Sequence, residues 1–95
     1  MKVYEAAVVL KDDLQEEQIE DLFTQLLNLI KDSDGEMLDV DNWGKRKLAY
    51  EINNYFAGYY TILSFRAPAN IISEVDRILK IKDEVLRHLI VRKEQ

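Results

Sequence analysis

The chain has 95 residues, of which 47% are hydrophobic and 33% are charged, with a formal net charge of −5 and no cysteine. These totals predict one soluble globular domain spanning residues 1–95, and they exclude a disulfide framework, a thiolate metal site and a cysteine nucleophile. No segment approaches the ~20 consecutive apolar residues of a membrane span, and Glu5 interrupts the apolar start of the chain. We therefore expect a cytoplasmic protein without a signal peptide.

The charge is divided unequally along the chain. Residues 1–44 carry 12 acidic and 3 basic side chains, whereas residues 45–95 carry 6 acidic and 10 basic side chains. The negative total argues against binding to nucleic acid, which favours a positive surface. The separate balances of −9 and +4 keep that function open, because binding depends on the local potential.

The first part of the chain predicts a strand followed by a helix. Residues 2–10 are apolar on both alternating faces, which is typical of a central β-strand. Residues 14–32 place apolar side chains at every third or fourth position, and this spacing predicts an amphipathic helix. We expect Asp12 or Asp13 to cap the helix and Gly35 to provide a left-handed turn after it. The acidic residues of the early turns are explained by the helix dipole and need no functional role.

The middle of the chain predicts two further strands. Residues 36–49 alternate in polarity like a long strand, and Gly44 within it indicates a β-bulge. Such a bulge changes the faces to which the following side chains point. Residues 53–58 provide turn residues, and residues 59–65 are rich in the aromatic and β-branched side chains of a strand.

The last part of the chain completes the fold prediction. Pro68 is expected at the first position of a second helix, and residues 85–92 predict a final strand. The order β-α-β-β-α-β predicts an α+β fold, the ferredoxin-like sandwich, with two helices on one face of a four-stranded antiparallel sheet. The other face of the sheet is left uncovered and is a natural surface for a partner.

The sequence contains no recognisable enzyme motif. The glycines Gly35, Gly44 and Gly58 are too far apart to form a phosphate-binding loop. The single histidine, His88, has no partner at ligand or triad spacing, so a structural or partner-contact role is expected. An acyl-phosphate hydrolase of this fold would need an arginine-bearing loop after the first strand, where this chain has the acidic sequence LKDDLQ. We predict no enzymatic activity, no metal, no cofactor and no small-molecule substrate.

The segment NWGKRKLAYEI, residues 42–52, concentrates cations beside aromatic rings. Its members of interest are Trp43, Lys45, Arg46, Lys47 and Tyr50. Cations neutralise phosphates and aromatic faces stack on bases, so the segment is a candidate RNA contact. The alternative is an edge strand protected by charge against aggregation. Composition alone leaves RNA binding and protein binding equally favoured.

The RNA-recognition motif has a related fold, but its consensus fits poorly here. Its third strand carries a pair of stacking aromatic side chains. In the corresponding segment AGYYTILSF, Thr61 and Ile62 interrupt that pair. We therefore do not expect bases to stack across the sheet in the manner of that motif.

Four segments resemble the bacterial small-subunit ribosomal protein number six family. They are YEAAVVL, WGKRKLAYEI, GYYTILSF followed by Pro68, and DRILKIKDEVLRHLIVRK, and they occur in order over residues 1–93. The resemblance implies a structural component of the small ribosomal subunit with the fold predicted above. It also implies binding to the central domain of small-subunit ribosomal RNA, as a heterodimer with a basic protein, number eighteen of that subunit.

The resemblance also implies which residues contact the RNA. The implied RNA contacts are Lys2, Tyr4, Lys45, Arg46, Lys47, Tyr50, Arg87, Arg92 and Lys93. Candidate contacts with the protein partner are Trp43, Tyr59, Tyr60 and His88. The first three can equally contact RNA or pack against neighbouring strands. Glu51 stands where many relatives have proline. The alternative function is a non-ribosomal protein-interaction or ligand-sensing domain that uses the open sheet face.

Overall fold

A computed structural model describes residues 1–93 of the chain. The elements are β1 (Lys2–Lys11), α1 (Glu16–Asp32), β2 (Glu36–Ile52), β3 (Tyr55–Ala67), a short 3₁₀ turn (Ala69–Ile71), α2 (Ile72–Ile81) and β4 (Val85–Arg92). The four strands form one antiparallel sheet in the order β2-β3-β1-β4. This architecture confirms the predicted ferredoxin-like fold. The prediction of one domain over residues 1–95 extends beyond the described residues.

The core lies between the sheet and the two helices. Tyr4, Ala6, Val8 and Leu10 alternate along β1 toward the helices, and each is at most 7% exposed. Val9 points to the opposite face and is also only 7% exposed. β1 is therefore a central strand, as predicted: β3 and β4 flank it, its helix-facing side chains are buried, and those of its open face are mostly partly buried.

Helix α1 covers the sheet with one apolar stripe. Leu22, Leu26 and Ile30 are at most 2% exposed, and burial of each side chain contributes roughly 1.5–3 kcal/mol. The predicted aspartate cap is wrong. The helix begins at Glu16, and the backbone N–H of Gln15 donates to the side-chain oxygen of Gln18 at 2.9 Å.

The end of α1 also differs from the prediction. Asp34, not Gly35, adopts the left-handed conformation, with φ of 66°. Gly35 is needed for a different reason: a Cβ atom there would collide with the carbonyl oxygen of Arg66 and with Ile30. The N–H of Gly35 donates to the carbonyl oxygen of Ile30 at 2.9 Å, which ends the helix.

Strands β2 and β3 form a hairpin that is longer than the rest of the sheet. The pairing of β1 with β3 ends at Lys11 and Gly58, so residues 47–57, the hairpin tip, extend beyond β1. The turn consists of Asn53 and Asn54, with φ of 49° and 69°, as in a type I′ hairpin. Because this turn needs only two residues, β3 begins at Tyr55 instead of residue 59 as predicted.

The bulge predicted at Gly44 is present. The register between β2 and β3 shifts between Asn42 and Gly44, and Gly44 has φ of +80°. A side chain is strained in this conformation, whereas glycine adopts it freely. The bulge therefore changes which residues of β2 face the helices, so the alternation before Gly44 does not continue into the basic segment after it.

The connection to α2 corrects one more prediction. Pro68 has an extended ψ of 148° and precedes the 3₁₀ turn, so it is not the first residue of the helix. Helix α2 begins at Ile72 and buries Val75, Ile78 and Leu79. No helix among residues 1–93 is long and apolar enough to cross a membrane.

Candidate nucleic-acid interface

The basic segment, residues 44–47, lies on the edge strand β2. Lys45 pairs with Tyr59 of β3, and Arg46 pairs with Gly58. Successive side chains of a strand point to opposite faces. Lys45 therefore shares the helix side with Tyr59, while Arg46 points to the open face, the side of the sheet opposite α1 and α2. The three cations are all exposed, but they do not form one cluster.

Lys45 is paired within the protein. Its Nζ lies 3.4 Å from Oδ2 of Asp12, just after β1. The lysine side chain is 57% exposed, so the pair is solvent-screened and contributes at most about 1 kcal/mol to folding. The consequence is electrostatic: Asp12 offsets much of the positive potential at Lys45.

The bulge orients Arg46. Its Nε donates a hydrogen bond of 3.2 Å to the carbonyl oxygen of Trp43, and the residue is exposed. The indole of Trp43 is 50% exposed and donates to Oδ2 of Asp41 at 2.9 Å. Neither Arg46 nor Lys47 has an ion-pair partner within the described part of the chain. Both are therefore available to bind an anion.

A contact between β4 and the hairpin tip adds a third cation. Nη1 of Arg87 donates a hydrogen bond of 2.9 Å to the hydroxyl of Tyr50, and the guanidinium lies 6.0 Å from the ring centre. Arg87 pairs with Val9, which places it on the open face. The structure thus brings Arg46, Tyr50 and Arg87 to the same face and the same end of the sheet.

Phe56 lies on the hairpin tip and is not among the contacts predicted from the sequence. Its side chain is 67% exposed, and aromatic side chains this exposed are common at binding surfaces. The composition of residues 53–58 predicts a turn, which conceals the strand position of Phe56. The two-residue Asn-Asn turn was the signal that places it correctly.

The remaining predicted RNA contacts lie at the opposite end of the sheet. Lys2 begins β1, and Arg92 pairs with Tyr4. Lys93 lies 3.5 Å from Oε2 of Glu5. Tyr4 is 7% exposed, and its ring stacks on Phe65 with centroids 5.9 Å apart, so its position favours a core role.

These strand-end cations are distant from the hairpin cations. Tyr4 marks the strand-end group and Lys11 marks the hairpin group. They are seven residues apart on β1, a distance of about 23 Å at about 3.3 Å per residue. The predicted RNA contacts therefore fall into two separate groups on the surface.

His88 joins β4 to α2. Its Nε2 lies 2.7 Å from Oδ1 of Asp76, and the Nζ of Lys80 lies 3.3 Å from Oδ2 of the same carboxylate. The His88 hydrogen bond is the largest cause that lowers the pKa of Asp76, and Lys80 adds to it. The side chain of His88 is only 13% exposed. This position favours a structural role over contact with a partner.

The open face is apolar at its centre. Ala7, Val9 and Tyr60 line a shallow depression of about 200 Å³ together with Arg87 and Leu89. Leu89 is 63% exposed, an unusual exposure for a leucine on a strand. Exposed apolar patches of this kind mark interaction surfaces. Tyr60 therefore lies where a protein partner would pack, whereas Tyr59 lies on the helix side.

A sheet with one uncovered apolar face, bordered by cations on two strands, defines a small binding protein of the ferredoxin-like class. Residues 1–93 hold no group of His, Cys, Asp and Glu side chains suited to a metal ion. Comparison with known proteins identifies the family. The family model described as ribosomal protein S6 matches residues 3–92. The chain therefore belongs to the ribosomal protein S6 family of the small ribosomal subunit.

The relatives match over all or most of their length. The small ribosomal subunit protein bS6 of Alkaliphilus oremlandii is 45% identical over 95 residues, which cover 100% of both chains. The bS6 protein of Thermoanaerobacter pseudethanolicus is 41% identical with the same coverage. The crystal structure of 30S ribosomal protein S6 from Thermotoga maritima is similar with a TM-score of 0.86 and 27% identity, covering 97% of this chain and 87% of that chain.

Family membership decides between the functions that the sequence left open. The resemblance to the ribosomal family is confirmed, and the chain is a ribosome-associated protein of the small subunit. Since this family consists of structural proteins of the ribosome, the prediction that the chain is not an enzyme is also confirmed. The non-ribosomal alternative has no support from these relatives.

Proposed function

We propose that the chain binds the central domain of small-subunit ribosomal RNA together with the basic ribosomal protein number eighteen, as a heterodimer. The observation that carries this proposal is the position of Arg87. It contacts Tyr50 of the hairpin tip and also lines the apolar depression of the open face. A surface for RNA and a surface for a protein are therefore contiguous.

The RNA side of this surface consists of Arg46, Arg87, Tyr50 and Phe56 on the open face, together with Lys47, which alternation directs to the helix side of the same edge strand. The three cations neutralise phosphates, and the two exposed rings offer faces for stacking on bases. Three or four neutralised phosphates correspond to a salt dependence, d log K/d log[salt], of roughly −2 to −4. Lys45 takes part only when a phosphate displaces Asp12.

The protein side explains why a partner is needed. Residues 1–44 carry a balance of −9, which repels RNA and attracts a basic protein. The apolar centre of the open face supplies the area that a partner covers, with Leu89 at its edge. A basic partner offsets the repulsion, so we expect weak RNA binding by the isolated chain and strong binding by the pair.

The test compares two triple variants of equal charge. Arg46→Ala/Lys47→Ala/Arg87→Ala removes the proposed phosphate contacts, and Lys31→Ala/Lys80→Ala/Lys82→Ala removes three cations from the helices and the loop after α2. Affinity for a central-domain RNA fragment is measured with and without protein eighteen over a range of salt concentrations.

We expect the first variant to lose affinity and to flatten the salt dependence by about 2–3 units. The second variant should retain both, and both variants should retain their fold, because exposed charges contribute little to stability. An equal salt dependence of RNA binding in the two variants would contradict the assignment of these three cations as phosphate contacts.

A further inference from the structure

A groove lies on the helix side of the sheet, away from the proposed RNA surface. It has a volume of about 390 Å³ and runs between α1 and the bulged part of the β2–β3 hairpin. Its apolar lining comes from Leu10, Ile19, Phe23 and Tyr59. Phe23 and Ile19 are only partly buried although they lie on the core-facing side of α1. Gly44, which has no side chain, also lines the groove.

The polar groups of the groove are unequally satisfied. The hydroxyl of Thr61 donates to the amide oxygen of Asn42 at 3.0 Å, so both of these atoms are used within the protein. Glu16 and Glu20 stand on the α1 side of the groove, and neither has an ion-pair partner within residues 1–93. Lys45, which also lies on the helix side of β2, is already paired with Asp12. The groove is therefore an apolar trough bordered by two unpaired carboxylates.

We propose that this groove binds an apolar side chain carried by a lysine- or arginine-rich segment of a neighbouring protein in the small subunit. Glu16 and Glu20 are four residues apart on one helix face, with Cβ atoms about 5–6 Å apart. Cationic side chains on either side of the bound apolar residue can pair with both. The inference rests on the ribosomal role only for the location of the partner.

The chemistry of the groove argues against the other occupants. RNA would bring phosphates toward two carboxylates, which is repulsive. A small polar ligand would find few hydrogen-bond donors, since the hydroxyl of Thr61 already donates to the side-chain oxygen of Asn42. A second copy of this chain carries the same excess of acidic residues and offers poor charge complementarity.

The first experiment uses the isolated protein and two probe peptides. The basic probe has one phenylalanine between two pairs of lysines, and the acidic probe has glutamates in place of the lysines. Binding is followed by the amide chemical shifts of groove residues in two-dimensional NMR. The test variant is Glu16→Gln/Glu20→Gln. The matched control is Glu17→Gln/Asp21→Asn, which removes equal charge from exposed positions of α1 outside the groove.

We expect only the basic probe to shift the signals of Ile19, Phe23 and Tyr59. The affinity for this probe should fall about 3- to 10-fold in the test variant and should be unchanged in the control variant. Equal shifts from the acidic probe, equal losses in the two variants, or no shifts at millimolar peptide would each overturn the proposal. This result does not depend on assembly into ribosomes.

The second experiment locates the partner in assembled small subunits. Tyr59 is replaced by the photoreactive residue p-benzoyl-phenylalanine, with Gln25 on the exposed face of α1 as the control position. Incorporation into subunits is measured first for the unmodified chain and for the two substituted chains. If none of the three is incorporated, the ribosomal function itself is contradicted. In incorporated chains, a cross-link from position 59 to a lysine- or arginine-rich peptide supports the groove proposal. A cross-link only to RNA, only to a second copy, or to nothing overturns it.

Discussion

Arg87 and Tyr50 are 37 residues apart in the sequence, yet a hydrogen bond of 2.9 Å joins the guanidinium to the phenol hydroxyl. The contact connects β4 to the tip of the β2–β3 hairpin across the end of β1. It fixes the direction of the Arg87 guanidinium, because the ring of Tyr50 also lies 6.0 Å below it. The geometry of the proposed RNA surface therefore depends on a tertiary contact and not on the basic segment alone.

The first prediction tests this contact. Tyr50→Phe keeps the ring and removes only the hydroxyl, so Arg87 loses its hydrogen-bond acceptor. We expect a 2- to 5-fold loss of RNA affinity in the presence of protein eighteen, which corresponds to about 0.4–1 kcal/mol. The free energy of unfolding should change little, since both groups are exposed. Fluorescence anisotropy of labelled RNA and urea denaturation measure the two quantities.

Tyr55→Phe is the matched control for this variant. The hydroxyl of Tyr55 also lies on the hairpin, but it donates to the carboxylate of Asp13 at 2.9 and 3.0 Å. This hydrogen bond is the largest cause that raises the pKa of Tyr55. RNA affinity should be retained in this variant. Equal losses for both hydroxyls would contradict a specific role of the Arg87–Tyr50 contact.

The second prediction concerns Lys45 and its internal partner. Asp12→Asn abolishes the ion pair of 3.4 Å and frees the lysine for a phosphate. RNA affinity should rise, and the salt dependence should become steeper by about 0.7–0.9 units for one additional phosphate contact. The experiment is the same salt titration of RNA binding that tests the proposed function.

The general loss of a negative charge must be separated from the release of Lys45. Asp83→Asn provides this comparison, because Asp83 is exposed on the loop before β4 and has no ion-pair partner within residues 1–93. It should change RNA affinity less than Asp12→Asn and should leave the number of phosphate contacts unchanged. If the two variants gain equally, Lys45 contributes no phosphate contact of its own.

Much of the fold follows from local patterns. The two apolar faces of β1 and the helical spacing of α1 predict the correct elements, since β1 lies inside the sheet and α1 buries one apolar stripe. Gly44 predicts the bulge because its conformation is a local property. The end of α1 shows the limit of such reasoning. Gly35 is required by the nearby carbonyl oxygen of Arg66 on β3, and no local pattern reveals this close approach.

The candidate site is less predictable than the fold. The sequence places Lys45 beside Arg46, but strand alternation directs them to different faces, and the bulge decides which face each one takes. Asp12 was interpreted as a helix cap, whereas its carboxylate pairs with Lys45 on another strand. Contacts of this kind depend on the register between distant strands, so residue identity alone does not determine them.

The third prediction uses the contact between His88 and Asp76. The pKa of Asp76 is lowered in the folded protein, first by the His88 hydrogen bond and then by Lys80. A carboxyl group with a lowered folded pKa stabilises the protein above its unfolded pKa, about 3.9 for aspartate. That contribution is lost as the pH falls through the lower folded pKa. Acid should therefore weaken the attachment of α2 to β4.

Asp76→Asn isolates this contribution. The variant should be less stable than the parent at pH 6, and the difference in the free energy of unfolding should shrink as the pH falls below about 4. Asp83→Asn should follow the parent over the same range. Urea denaturation at a series of pH values measures both. A difference that stays constant down to pH 2 would show that the ionised form of Asp76 does not stabilise the fold.

The fourth prediction addresses the protein side of the proposed complex. Leu89→Asp places a charge on the open face at a position that is 63% exposed, and Ile81→Asp places the same charge on α2 at a position that is 60% exposed. The two exposures are nearly equal, so both variants should fold with similar stability. Only Leu89→Asp puts a charge where the proposed interface with protein eighteen excludes water, and burial of an unpaired charge is costly.

We expect the affinity of Leu89→Asp for protein eighteen in calorimetry to fall at least about 10-fold, the equivalent of about 1.4 kcal/mol. The Ile81→Asp variant should bind like the parent. Equal affinities for the two variants would place the heterodimer interface away from the open face, and the apolar depression beside Arg87 would then need another explanation.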